Sequence, residues 1–140
     1  MNEAETRAEL IDPKLKACGW GVVEGSRILR EYNITAGKIQ TGGRGKMLTA
    51  DYILVYKGIK LAVIEAKNAN QGVGEGVAQA KKYAHKMQIE TTYATNGIEI
   101  YSICMKSGAE GIVQDFLTPD ELWDKTFSDQ NEWRDKFNAV

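Results

Sequence analysis

Histidine and cysteine are scarce in this chain: one His and two Cys in 140 residues. With His85 alone and Cys18 and Cys104 far apart in sequence, neither a structural zinc site nor a disulfide framework is expected. A reducing cytoplasm is the simplest compartment for such a chain. No apolar run approaches the roughly 20 residues of a membrane span. No cleavable signal-like segment opens the sequence, and no repeats or low-complexity tracts interrupt it. What remains is a chain of ordinary apolar content, 43%, long enough for one domain with a real core.

The net charge of −1 excludes little, but the distribution of charge is uneven. Lys14 to Glu90 holds thirteen Lys/Arg against six Asp/Glu, whereas the remainder carries five against thirteen. The central portion therefore suits nucleic acid as a partner. A solvated helix face at Lys81, Lys82 and Lys86, with His85 among them, accounts for part of the excess. The basic loop Thr41-Gly-Gly-Arg-Gly-Lys46 stands immediately upstream of Asp51, where phosphate contact and plain disorder suit its composition equally. It is not a Walker A loop, because its glycine spacing fails and Met47 stands where Ser or Thr belongs.

The most informative stretch runs from Asp51 to Lys67. Two β-rich segments, Asp51–Tyr56 and Ile59–Ala66, meet at Lys57-Gly58, which reads as a hairpin turn. Side chains alternate along a strand, so Glu65 and Lys67 share a face and Ala66 takes the other. A two-residue turn would pair Asp51 with Ile64 and send Glu65 to the opposite face. A three-residue loop, Tyr56-Lys57-Gly58, pairs Val55 with Ile59 and Asp51 with Val63. Asp51 and Glu65 then become diagonal neighbours on one face, roughly 7–8 Å apart. Gly58 suits a type I turn closed by a bulge, and Ile53, Val55, Ile59, Leu61 and Val63 would line the face of the site. The three-residue form is therefore predicted.

Two carboxylates and an ammonium at one sheet end support metal-assisted phosphodiester hydrolysis. Carboxylate oxygens are hard ligands suited to Mg²⁺, which takes one or two of them and keeps several waters. The metal polarises a phosphate and lowers the pKa of a bound water. Lys67 would position or activate that water and offset charge on the phosphate. An ordinary hairpin with charged residues at its wet end carries the same letters, and D…ExK alone arises often by chance.

Asp51 and Glu65-Ala66-Lys67 resemble the PD-(D/E)xK nuclease signature, with Thr49-Ala50-Asp51 in place of the eponymous Pro-Asp. Gln79-Ala-Lys-Lys-Tyr83 is similar to the QxxxY motif found after the catalytic hairpin in nucleases fused to DNA motors. Glu3-Ala-Glu5-Thr-Arg7, Ile11-Asp-Pro-Lys-Leu15, Gly19-Trp20, Ala94-Thr-Asn-Gly97 and Phe116-Leu-Thr-Pro119 resemble the amino-terminal domain of Type I restriction enzyme motor subunits. The resemblance spans nearly the whole chain in the expected order. It implies an α/β fold of the PD-(D/E)xK restriction-endonuclease-like kind, a central mixed β-sheet flanked by helices, over residues 1–132. Residues 133–140 would open a linker toward ATP-driven translocase domains.

The implied function is Mg²⁺-dependent cleavage of double-stranded DNA within a restriction-modification complex. Asp51 and Glu65 would hold Mg²⁺, with the Ala66 carbonyl a further ligand. Lys67 would assist hydrolysis, and Gln79 and Tyr83 would support it. Glu3 or Glu5 is the candidate for the acidic residue that the first helix contributes in related nucleases, although acids are favoured at helix starts in any case. Specificity and methyltransferase subunits would be the partners, and no membrane is involved. The nuclease of a repair helicase, a stand-alone nuclease and an inert DNA-binding domain of this fold are the alternatives. Intact Asp51, Glu65 and Lys67 argue against the last.

Elsewhere, Ala4 to about Ala17 reads as helix, bent or restarted at Asp12-Pro13, with Leu10, Ile11 and Leu15 as its buried stripe. One or two strands are expected within Val22–Ile34. Glu75–Gln88 reads as a helix burying Val77, Ala80, Ala84 and Met87, with Gln79 and Tyr83 together on a neighbouring face. Tyr83 could equally be a half-buried packing residue. Thr91–Thr95 and Ile98–Ile103 flank Asn96-Gly97, a strong hairpin signal. Phe116, Trp123, Phe127, Trp133 and Phe137 are spread through an acidic tail read as helical.

Overall fold

The computed structural model of the chain describes residues 2–34 and 48–128. The basic loop at Thr41–Lys46 and the linker at residues 133–140 lie outside them. Six strands form one sheet: β1 (Ser26–Ile34), β2 (Leu48–Tyr56), β3 (Ile59–Ala66), β4 (Thr91–Thr95), β5 (Ile100–Cys104) and β6 (Glu110–Val113). They lie side by side in chain order. Every pair is antiparallel except β3 and β4. That parallel step needs a crossover, supplied by α3 (Val77–Met87). The architecture is the expected mixed sheet with flanking helices.

Alternation along β2 divides the core. Tyr52, Leu54 and Tyr56 join Ile11, Leu15, Trp20 and Leu122 on one face, where α2 (Asp12–Ala17) and α4 (Pro119–Thr126) pack. Ile53 and Val55 join Val63, Tyr83 and Ile89 on the other, beneath α3. Burial of such side chains is worth roughly 1.5–3 kcal/mol each, so the two-sided pattern holds β2 and β3 in the interior of the sheet. Among the described residues, no helix is long and apolar enough to cross a membrane.

The first helix departs from the expectation in an instructive way. α1 (Glu3–Thr6) is capped by Asn2 and Glu5, whose side chains each bond the other's backbone N–H. A π turn over Arg7–Ile11 follows, in which the Asp12 N–H reaches back to the Arg7 carbonyl. The irregularity therefore precedes Asp12-Pro13, and Asp12 caps nothing. Its carboxylate instead accepts from the Tyr52 hydroxyl at 2.7 Å. Ile11 and Leu15 are fully buried as expected, while Leu10 is half-buried.

Val22–Ile34 yields one strand, β1, within the one or two expected. One further expectation is corrected. Asn96-Gly97 does not form a two-residue turn, because Thr95 pairs with Ile100 across a longer loop. The Asn96 side chain accepts from the backbone N–H of both Ile98 and Glu99, which closes that loop and excludes Ile98 and Glu99 from β5. The tail after Phe116 is helical over α4, while Trp133 and Phe137 lie outside the described residues; β6 was not anticipated at all.

Gly97 seats the first helix on the sheet. Its φ is +86°, and a β-carbon there would lie 2.8 Å from Leu10 Cβ and 3.0 Å from Thr6 Cγ2. Gly97→Ala should therefore destabilise the chain by on the order of 2–4 kcal/mol, combining a left-handed penalty of about 1–2 with overpacking. Urea unfolding checks this, and a loss under about 0.5 kcal/mol would refute the packing role.

Candidate active site

The turn between β2 and β3 decides which carboxylates meet. Lys57 and Gly58 both have positive φ, 51° and 81°, as a two-residue type I′ turn requires. Tyr56 pairs with Ile59 and Val55 with Lys60, but Leu54 pairs with Ala62. Leu61 is thus the extra residue of a bulge. The predicted three-residue loop is wrong, and so is the plain two-residue register. With the bulge, Ile53 pairs with Val63 and Tyr52 with Ile64; one step further brings Asp51 level with Glu65. The bulge also turns Leu61 into the opposite core, and Ile59 stays exposed at the turn. Ile53, Val55 and Val63 alone remain on the face of the site.

Asp51 is fully engaged. Its Oδ2 accepts the Ala66 N–H at 2.7 Å, and its Oδ1 accepts from Arg7 Nη1 at 2.9 Å. Glu65 is only 6% exposed, and its Oε2 is buried with no hydrogen-bond partner among the described residues. Lys67 Nζ stands 3.9 Å from Glu65 Oε1, so the predicted sharing of a face holds. Burial first, then the charge of Asp51, pushes the Glu65 carboxyl up to about 8; Lys67 opposes this, and Glu3 adds to it. Glu3 is thus the first-helix acid whose charge reaches the site, while Glu5 is occupied in the helix cap.

Tyr83 is buried at 3% exposure, below α3. The Gln79 amide donates to its hydroxyl. Burial, then the negative charge of Glu65, raises the phenol above its ordinary pKa. Gln79 itself is exposed. The Ala66 side chain lies in the opposite core, as parity requires.

Sequence reasoning gave no role to three residues that shape this site. Arg7 lies one helical turn beyond Glu3 and pairs with Asp51; it also approaches Glu31, at 3.6 Å. The four-residue spacing of Glu3 and Arg7 was the available signal. Glu31 has φ +49° and interrupts the β1–β2 pairing opposite Asp51. Gly76 ends the 3₁₀ turn before α3, where a β-carbon would sit 3.3 Å from Glu65 Cγ and 3.4 Å from Lys67 Cγ. Its lack of a side chain lets the helix start close over both.

A family model described as the second domain of the Type I restriction enzyme EcoKI endonuclease subunit matches residues 23–119. The chain belongs to the type I restriction endonuclease subunit family. The EcoAI endonuclease subunit of Escherichia coli is 31% identical over 137 residues, spanning 89% of this chain and 16% of the relative. A fragment described as an HsdR subunit of a type I restriction enzyme from Vibrio vulnificus YJ016 matches with a TM-score of 0.83 and 38% identity. That match covers 94% of this chain and 26% of the other. The chain therefore corresponds to a minor part of the length of either family member.

The donor set of this family member suits a hard cation. Two carboxylates converge, one with an orphaned oxygen, and among the described residues no third His, Cys, Asp or Glu completes a larger cluster. Magnesium accepts few protein ligands and many waters, so a pair suffices.

The raised Glu65 pKa has a consequence for stability. Between the ordinary value of 4.5 and about 8, the unfolded chain has released a proton that the folded chain retains. The contribution is complete below about pH 4.5 and declines as pH rises through 8. In chelator, Glu65→Gln should therefore melt higher than wild type at pH 8, by roughly 2–4 °C per kcal/mol relieved. The gap should close near pH 4.5; equal melting at pH 8 would contradict the burial of a charged Glu65.

Proposed function

We propose that this domain cleaves double-stranded DNA as the Mg²⁺-dependent nuclease module of a type I restriction-modification complex. The observation carrying this reading is the unpartnered, buried Glu65 Oε2 beside Asp51, with Lys67 on the same face. A carboxyl buried in this way costs stability whenever it ionises, and a domain that only held DNA would gain by losing it.

Asp51 and Glu65 would hold the magnesium, with the Ala66 carbonyl as a further ligand. When bound, the ion supplies Lewis acidity and a water of lowered pKa. Lys67 places a positive charge beside the reacting phosphate, where stabilisation is worth most in a dry site. Arg7 and the Ala66 N–H hold Asp51 in a single orientation. Tyr83, fixed by Gln79, closes the α3 side and supports the same geometry. Glu3 adds negative charge from the first helix.

Residues 1–132 would form the module, with 133–140 leading toward ATP-consuming motor domains. Specificity and methyltransferase subunits would supply sequence recognition, in the cytoplasm. The test is plasmid cleavage by the assembled enzyme carrying Lys67→Ala, with ATP hydrolysis followed in the same tubes. Cleavage should fall by about 10²–10³-fold while ATP turnover stays within a factor of two. Undiminished cleavage would remove Lys67 from the chemistry and refute the site.

A further inference from the structure

Beside Asp51 lies a hollow of about 290 Å³, lined in part by Arg7, Asp12, Arg30 and Glu31. Next to it lies a larger one of about 770 Å³, which Lys16, Trp20, Val22 and Arg27 line. Ala8, Asp12 and Arg30 border both, so the two hollows adjoin along a groove between the first helical segment and edge strand β1, with Arg30 and Asp12 3.6 Å apart where they meet.

The charge changes sign along this groove. At the Asp51 end, Arg7 and Arg30 face three acids: Asp12, Glu31 and Asp51. At the far end, Lys16, Arg27 and Arg30 face Asp12 alone. Asp12 is already held by the Tyr52 hydroxyl at 2.7 Å and lies 3.6 Å from Arg30. Lys16, Arg27 and Arg30 are exposed, and among the described residues Lys16 and Arg27 make no ion pair. The floor is rigid, because the buried Trp20 donates its indole N–H to the Leu117 carbonyl at 2.8 Å. Val22, 62% exposed, gives the far lip an apolar surface.

A cation-binding end followed by a cationic track is what a phosphodiester strand needs when one phosphate is cut and its neighbours are held. We propose that this groove carries the DNA backbone away from the scissile phosphate, with Arg30, Arg27 and Lys16 as phosphate contacts. Arg27 and Arg30, three residues apart, leave β1 on opposite faces, and both border the far hollow. Contacts of this kind set position without reading sequence. The assignment rests on the nuclease reading for its ligand.

The test is fluorescence anisotropy of a 30-base-pair duplex with the chain in calcium, on the Lys67→Ala background so that nothing is cut. Salt is varied, and the slope of log affinity against log salt is read. Replacing Lys16, Arg27 and Arg30 together by alanine should lower that slope by about 2.7, roughly 0.9 for each phosphate no longer neutralised. Single Arg27→Gln and Lys16→Gln variants should each lower it by about 0.9, and they serve if the triple variant melts early. Lys82→Ala with Lys86→Ala, on the exposed side of α3, should leave the slope unchanged.

An unaltered slope in the groove variants, or an equal drop in the α3 control, overturns the proposal. So does groove replacement that spares DNA binding but abolishes assembly with the other restriction subunits, which would make the groove a protein interface. No DNA binding by the parent chain even at low salt also overturns it. The nuclease reading fails separately, through normal plasmid cleavage by Lys67→Ala.

Discussion

The carboxylate of Asp51 joins three elements that have no covalent reason to meet. One oxygen takes the Ala66 N–H from the end of β3, and the other takes the Arg7 guanidinium from the first helical segment. Charge-assisted bonds of this length are roughly twice as strong as neutral ones. Their effect here is chiefly geometric. They bring the first helix down against the sheet, hold β2 level with the last turn of β3, and set Glu65 beside Asp51. Thr6 reinforces the arrangement by accepting the Ala69 N–H at 3.1 Å, just beyond β3.

That arrangement opposes stability at the place where function would lie. Glu65 stands buried beside the like charge of Asp51, a position that Lys67 eases and that holds its carboxyl well above the usual range. The surroundings compensate through apolar burial on both faces of β2 and β3, where Ile53, Leu54, Val63 and Ile64 are wholly enclosed. A site that is electrostatically unfavourable when empty is well disposed to bind a cation, since differential affinity is what drives an equilibrium. The groove along β1 continues the same logic with opposite sign, offering cations where successive phosphates would pass.

The legible part of this molecule was the part written in local pattern. Glu65 and Lys67 share a face because strand parity is independent of the rest of the fold. The burial of Ala80 and Ala84 and the alignment of Gln79 with Tyr83 follow from helical spacing alone. The turn was misread because Gly58 fits two loop types, and the choice rested on Lys57 accepting a left-handed backbone, which its letter does not announce. The bulge at Leu61 was invisible for a related reason: Leu61 suits either face, and only the packing of α2 and α4 on one side settles which. β6 is short and carries mostly exposed residues, so it has no apolar alternation to reveal it.

By itself the sequence determined which residue types could do chemistry, that Glu65 and Lys67 would point together, and that a mixed α/β sheet would carry them. Tertiary structure decided that Asp51 stands level with Glu65 and that Arg7 closes the cluster. It also decided that a side chain at Gly76 would press on Glu65 and Lys67, the nearest atoms to a β-carbon there. The division has a physical basis. Periodicity is a property of a strand or helix alone, whereas register, approach and burial come from elements competing for the same core, and no single segment encodes that competition.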